Sequence, residues 1–437
     1  MFGMAVVPTR GAYSDPAVTW VILGLIVVGV LFWSTFKTRD PALPVRFIGP
    51  AVWVGLCALS GYAAWLPNVL LYPAEDWGPG QLTMWGICFL VVTYGFSLLH
   101  PESRSVRNAR FAAIAALVAL MGVLVITISP APIIDVWTVQ QEGAAVFLDG
   151  RNPFQDVHLV DTGPRTATDV PYVYPPLHLY VSSVAWALTH DVRYGAVLAL
   201  ILLGFATRAL AVKVIREQKF PAILEDAPAL LIWCSPMLAF IIEQGWIDPL
   251  QLCWCSAVLL AWDRPWLLAV LAGFLLGAKQ TMLLMVLPVG LALRLSWKQW
   301  LLIGVLAVLP LVPWLVWDFR AYKHANFDFL NALPSRDDAL TVVVWAAQRL
   351  HLTIPPAIAF PSAALIIVAA GWRGRQPLQN ATITVLTAMT LFFTFNKWAF
   401  ANYYFTLLSL AALAAAAALR VTVPGPAATD AVPDTAA

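Results

Sequence analysis

What most limits the folds open to this chain is the length of its unbroken apolar runs. Val18 to Phe36, Phe111 to Ser129, Ala196 to Val214 and Trp300 to Trp317 are the clearest. A helix needs ~20 apolar residues to cross a hydrocarbon core. A membrane barrel would instead show short segments of alternating polarity, and these runs do not alternate. Of the 437 residues only 11% are charged and 60% are hydrophobic, against about 25% charged in a soluble domain. Such a chain lacks the polar surface to face water all round. The expectation is an all-α polytopic membrane protein with about 11–13 transmembrane helices.

Charge then orients the spans, because basic residues gather on the cytoplasmic side. Lys37, Arg39 and Arg46 follow the first run; Arg104, Arg107 and Arg110 precede Phe111. Arg294 with Lys298, Arg373 with Arg375, and Arg420 mark later inside loops. Pro67 to Gly80 holds Glu75 and Asp76 but no Lys or Arg, which suits the outside. The loop over 130–174 is then extracytoplasmic, with amphipathic surface helices. Pro175 to His190 is marginal: if it crosses, Lys213, Arg216 and Lys219 fall outside, and if it lies on the surface or re-enters they fall inside. Residues 1–110 read as N-terminal spans, 111–420 as the core carrying the loop, and 421–437 as a disordered tail.

Several classes are disfavoured. The net charge is +2 without a basic tract, so no nucleic-acid partner is expected. The five cysteines, Cys57, Cys88, Cys234, Cys253 and Cys255, lie within apolar runs and read as small core residues. The histidines show no metal-ligand spacing, and neither a metal nor a cofactor is called for. The first apolar run lacks the basic n-region and small-residue exit of a cleaved signal peptide.

The outer loop is the most informative stretch. Pro130 to Phe154 reads PAPIIDVWTVQQEGAAVFLDGRNPF. Asp135 and Glu142 would share one helix face, and Gly150 would close the helix from the C′ position ahead of Asn152-Pro153. Asp135 could be an N-cap or a general base for an acceptor hydroxyl. Further on, VPYVYPPLHLY contains Tyr172, Tyr174 and His178, with Pro175-Pro176 starting a helix.

These elements resemble the GT-C superfamily of membrane glycosyltransferases: a span ending in an isolated Asp, a surface helix, a Gly-Arg-Asn-Pro-Phe turn and a Tyr-Pro-Pro-Leu helix start. The chain is most similar to the bacterial branch containing polyprenol-phosphate-mannose-dependent mannosyltransferases. The resemblance implies a GT-C-like fold in a bacterial cytoplasmic (inner) membrane, with the active site on the extracytoplasmic face. It implies inverting transfer from a polyprenyl-phosphate-linked sugar donor to a glycolipid or polysaccharide acceptor, with Asp135 as base. Three spans precede the Asp-bearing loop where members of that family often have one, which keeps Glu75 and Asp76 open as alternatives.

Ionisable groups within spans cost ~2.5–3.5 kcal/mol each, so four further clusters stand out. They are Glu243, Gln244 and Asp248; Lys279 and Gln280, in about thirty apolar residues that would form two short helices; Arg320, Lys323 and His324; and Asn396, Lys397, Asn402, Tyr403 and Tyr404. The last resembles an Asn-Lys-x-x-x-x-Asn-Tyr-Tyr pattern of related bacterial transferases. Lys279, Lys397, Arg320 and Gln280 are the candidates for the donor phosphate, since cations in a low-dielectric cleft stabilise a leaving phosphate. Sugar or acceptor contacts would come from Glu142, Asn152, Tyr172, Tyr174, His178, Glu243, Gln244, Asp248, Asn396, Asn402, Tyr403 and Tyr404; Trp246 could also stack on a sugar. The competing reading is a multi-span transporter or lipid flippase, which should show discontinuous helices in two related halves. No such symmetry is visible. A non-catalytic scaffold would leave the polar outer loop without a purpose.

Overall fold

The computed structural model describes residues 12–37, 45–66, 78–99, 102–132, 134–161, 168–215 and 223–418. Glu75, Asp76 and the 421–437 segment lie outside the described residues. The chain is a multi-pass α-helical membrane protein. In hydrocarbon no water satisfies backbone N–H and C=O groups, so each apolar run must bond internally as a helix. Among the described residues six helices are long and apolar enough to cross a membrane: α1 (Asp15–Lys37, its apolar part Asp15–Ser34), α3 (Gly78–Leu99), α4 (Arg104–Ile128), α8 (Arg193–Ile215), the combined run Trp297–Ala332, and α20 (Ala401–Ala418). Five shorter apolar segments accompany them: α11 (Asp248–Leu260), α12 (Pro265–Ala278), Gln280–Leu293 containing α13 (Leu283–Leu293), α18 (Ala359–Gly371) and α19 (Leu378–Thr394). α2 (Val45–Trp65), α9 (Ile223–Trp233) and α10 (Leu238–Glu243) pack among them. The apolar stretch around Lys279 is indeed two short helices, broken by a 3-10 turn at Gln280–Met282.

The helices run between two ends. At one end, α4 leads into α5 (Asp135–Leu148). Arg193 and Glu243 are bonded to this end through Ser129, and Gly245 through Gln140; Asp248, three residues further on, holds Lys279 and Asn402. At the opposite end, Asp226 accepts from Tyr94 (2.8 Å) and Arg208 (2.5 Å), Arg208 also donates to Asn108, and Arg107 pairs with Glu225 at 3.0 Å. Lys213 pairs there with Asp263. These bonds decide the ambiguity over 175–190. Helix α7 (Pro176–Thr189) lies along α5 rather than crossing: His178 near its start bonds Gln140, and the carbonyl of His190 just beyond its end accepts from Gln141 at 2.5 Å. Both ends of α7 thus sit at the Asp135 end, and Lys213 falls at the other, with Arg107 and Arg110.

The 130–174 loop departs from an all-helical reading in one respect. His158–Asp161 (β1) and Thr168–Pro171 (β2) form an antiparallel pair, with His158 opposite Pro171 and Asp161 opposite Thr168. Four-residue strands with scattered polar residues carry too little periodicity to be seen in sequence. Gly150 does close α5: at φ +74° it donates to Phe147, while Arg151 donates to Val146, the Schellman arrangement. α6 (Pro153–Asp156) follows, and the loop docks through aromatic rings: Phe154 lies 5.1 Å from both Trp314 and Tyr322, which belong to α15 (Val312–Lys323).

Close approach between helices relies on small residues. In α12 a Cβ added to Gly273 would meet Leu306 at 2.7 Å, and one on Gly277 would meet the Ala307 carbonyl oxygen at 3.1 Å. α14 (Trp297–Val308) therefore rides directly on the α12 backbone. Gly273→Leu is expected to cost about 1–3 kcal/mol by overpacking, read as a lower unfolding midpoint in detergent. Single cysteines placed by Glu142→Cys and Asp263→Cys in a cysteine-free background should react with impermeant maleimide from opposite sides of the membrane. Labelling from one side would contradict this path of the chain.

Candidate functional site

The segment leaving α4 is pinned before it reaches Asp135. Arg193, fully buried, donates to the carbonyl oxygens of Ser129 (2.7 Å) and Pro130 (3.4 Å) and to both carboxylate oxygens of Asp191. Its guanidinium also lies 5.2 Å from the Trp137 ring centre. The guanidinium thus bonds the Ser129 and Pro130 carbonyls just past the end of α4 while its charge is met by Asp191. Asp135 then opens α5 as its first helical residue, while Ile134 occupies the N-cap. The N-cap reading of Asp135 is thus replaced by a place in the first turn, where its Oδ1 accepts from the adjacent Val136 N–H at 2.7 Å and the residue is exposed.

Tyr174 and His178 connect this carboxylate to the bundle. Their rings lie 5.4 Å apart, one turn apart at the start of α7. Burial of the hydroxyl, then the carboxylate of Asp135, with Tyr172, Asp248 and Tyr403 adding, holds the Tyr174 phenol well above its ordinary range. For His178, burial and then the charge of Lys279 push the imidazole down to about 3. Asp135, Asp248, Lys279 and Tyr403 therefore all lie within electrostatic reach of two neighbouring rings.

Beneath those rings is a buried ion pair. Asp248, 2% exposed, sits 3.3 Å from Lys279 Nζ. It also accepts from Asn402 Nδ2 and Thr406 Oγ1, each at 3.0 Å. Three helices, α11, α12 and α20, thus converge on one carboxylate. The Tyr403 ring centre is 5.6 Å from Lys279 Nζ. The neighbouring Glu243, wholly buried, accepts from Ser129 Oγ (3.4 Å) and Gln244 Nε2 (3.1 Å).

Other candidates are placed apart from this cluster or face elsewhere. Lys397 donates to the carbonyls of Leu330 (3.1 Å) and Leu333 (2.8 Å) and lies 4.7 Å from the Trp398 ring centre. It clasps the segment after α16 (Phe329–Ala332), and burial lowers its pKa. Asn396 Oδ1 accepts from the Lys397 N–H, and Tyr404 donates to the Leu340 carbonyl. Tyr172 is fully buried, edge-on to Phe154 and Tyr174. Asn152 caps α6 by accepting from Phe154 N–H at 3.1 Å. Glu142, Gln280 and Arg320 are exposed. Among the described residues no three His, Cys, Asp or Glu side chains gather as a metal site, and the five cysteines are free thiols.

Sequence reasoning overlooked Arg193, Asp191, Gln140 and Thr406. Gln140 joins three elements, since its Nε2 donates to Gly245 O (2.7 Å) and Val136 O (2.8 Å) while its Oε1 faces His178 Nε2 at 2.7 Å. A glutamine seven residues before Phe147 gives no local sign of such a bridge. Arg193 carried one: an arginine opening an apolar helix far from the basic loops.

No family model matches the chain, and no curated protein matches it. Among solved structures, the crystal structure of ArnT from Cupriavidus metallidurans bound to undecaprenyl phosphate is similar at 17% identity and a TM-score of 0.46. The alignment covers 73% of this chain and 61% of that one.

Asp248→Ala would strand the Lys279 charge in a low-dielectric setting, at a cost of about 3–5 kcal/mol. Adding Lys279→Met should recover part of that loss, measured by thermal unfolding in micelles. Strictly additive losses would show that the two side chains do not act as a pair.

Proposed function

We propose that this chain is an inverting glycosyltransferase of the GT-C kind. It would move a sugar such as mannose from a polyprenyl-phosphate donor onto a glycolipid or polysaccharide hydroxyl. The reading places the site on the extracytoplasmic face of a bacterial inner membrane. The observation that carries it is a cation held in a polar cleft at the end where Asp135 opens α5: Lys279 sits 3.3 Å from the buried Asp248 and 5.6 Å from the Tyr403 ring centre, while Tyr174 packs on His178, which is bonded to α5 through Gln140.

The chemistry needs little more. An acceptor oxygen attacks the anomeric carbon as the bond from that carbon to the phosphate oxygen breaks. The electron pair leaves with the phosphate, and the hydroxyl proton passes to Asp135. Asp135, exposed at a helix start, is open to an acceptor from the aqueous side. Lys279, half-buried and held by Asp248, would meet the growing negative charge where water is scarce. Of the four cationic and polar candidates for the phosphate, Lys279 is favoured because Lys397 is committed to two backbone carbonyls. Tyr174 and Tyr403 offer aromatic faces for a sugar, with Asn402 and Asp248 as polar contacts.

With the protein reconstituted alongside polyprenyl-phosphate-linked mannose and an alkyl mannoside, Asp135→Asn should reduce kcat roughly 10²–10⁴-fold at normal expression. Lys279→Met should reduce it roughly 10²–10³-fold. Transfer unaffected by Asp135→Asn would overturn the assignment of the base, and wild-type solute uptake without glycan product would favour a transporter.

A further inference from the structure

His178 is held by two side chains and takes part in no step described so far. It is 4% exposed. Its Nε2 lies 2.7 Å from Gln140 Oε1 and 3.1 Å from Ser182 Oγ. The orientation of the Gln140 amide is settled independently, because the other terminal atom approaches two carbonyl oxygens, of Gly245 and Val136. Only an NH2 group can do that. Gln140 therefore presents its oxygen to the imidazole, and Nε2 must carry the proton. A neutral ring with its proton on Nε2 has a bare lone pair on Nδ1. That Nδ1 is buried and has no hydrogen-bond partner among the described residues. Burial and the nearby Lys279 both disfavour the doubly protonated ring.

An unmatched buried acceptor is costly, and here it belongs to a ring fixed on one edge by Gln140 and packed against Tyr174. We infer that Gln140 and Ser182 lock His178 in its Nε2–H form so that Nδ1 accepts a hydrogen bond from a sugar hydroxyl of the bound substrate. This makes His178 a specificity-determining contact and Gln140 a positioning residue. The inference rests on the glycosyltransferase reading and narrows it: the group met at this point is a neutral donor, a hydroxyl, and neither a phosphate oxygen nor an ether. A site that hydrogen-bonds a hydroxyl rejects analogues lacking it far better than an apolar pocket could.

Two substitutions separate the ring's edges. Glutamine can reach the Nε2 position and asparagine the Nδ1 position. His178→Gln should keep the bond to Gln140 and the unfolding midpoint, yet raise KM roughly five- to tenfold, the size of one neutral hydrogen bond. His178→Asn should restore most of that KM, though with a lower midpoint. Comparing KM for polyprenyl-phosphomannose with KM for octyl mannoside shows which substrate carries the hydroxyl; its deoxy analogue should bind wild type and His178→Gln equally. Equal KM values for wild type and His178→Gln would overturn the inference while leaving the reaction class standing. Long-range ¹H–¹⁵N spectra of histidine-labelled protein give a test independent of turnover. An Nδ1–H or doubly protonated ring, assigned by loss of the signal in His178→Gln, overturns it even if no transfer by the wild type is found. Absence of any transfer by wild type overturns the glycosyltransferase reading itself.

Discussion

A helix end leaves carbonyl groups without helical partners, and here the chain just past α4 is held by one arginine. Arg193 gathers the carbonyls of Ser129 and Pro130 and the carboxylate of Asp191 in a single buried fork. A lysine offers a point charge and could not span these acceptors in one plane. Because those carbonyls immediately precede Asp135, the bond that completes α4 also sets where α5 begins. The Asp191 carboxylate accepts as well from the Trp137 indole at 3.4 Å. Thus the beginning of α8, the end of α4 and the first turn of α5 form one unit.

The same economy holds deeper in the bundle. Asp248 would be prohibitive as a lone charge among apolar helices. With Lys279, Asn402 and Thr406 around it, all its oxygens are engaged, and helices distant in sequence are brought to one point. At the opposite end Asp226 plays a comparable part, taking Tyr94 and Arg208 from two helices. At the Asp135 end one buried acceptor, His178 Nδ1, has no hydrogen-bond partner among the described residues, and substrate chemistry can enter there.

Much of the architecture was legible from local signals. Apolar length announced the spans, Gly150 announced the end of α5, and the Gly-Ala-Lys-Gln break announced two short helices, since each is a property of neighbouring residues. The paired strands at His158–Asp161 and Thr168–Pro171 were not legible, because four-residue strands owe their existence to each other. Charge bias left 175–190 undecided; the contacts of His178 and His190 with α5 resolved it, as they hold α7 flat at one end. Among site residues, Asp248 and Lys279 could be singled out as costly charges, but their pairing could not be foreseen. Lys397 looked equally eligible, and only its carbonyl partners distinguish it. Gln140 offered nothing, for its amide is informative only with Gly245 and His178 beside it.

By itself, then, the amino-acid order determined that this protein lives in a membrane as helices, and which ionisable residues would need a reason to be there. Both follow from the free energy of moving side chains and backbone out of water, which each segment meets on its own. The tertiary structure alone decided who satisfies whom: Arg193 with the end of α4, Lys279 with Asp248, Gln140 with His178. Hydrogen bonds and ion pairs act over a few ångströms, and residues 31 to 158 positions apart come within that range only when the bundle is assembled.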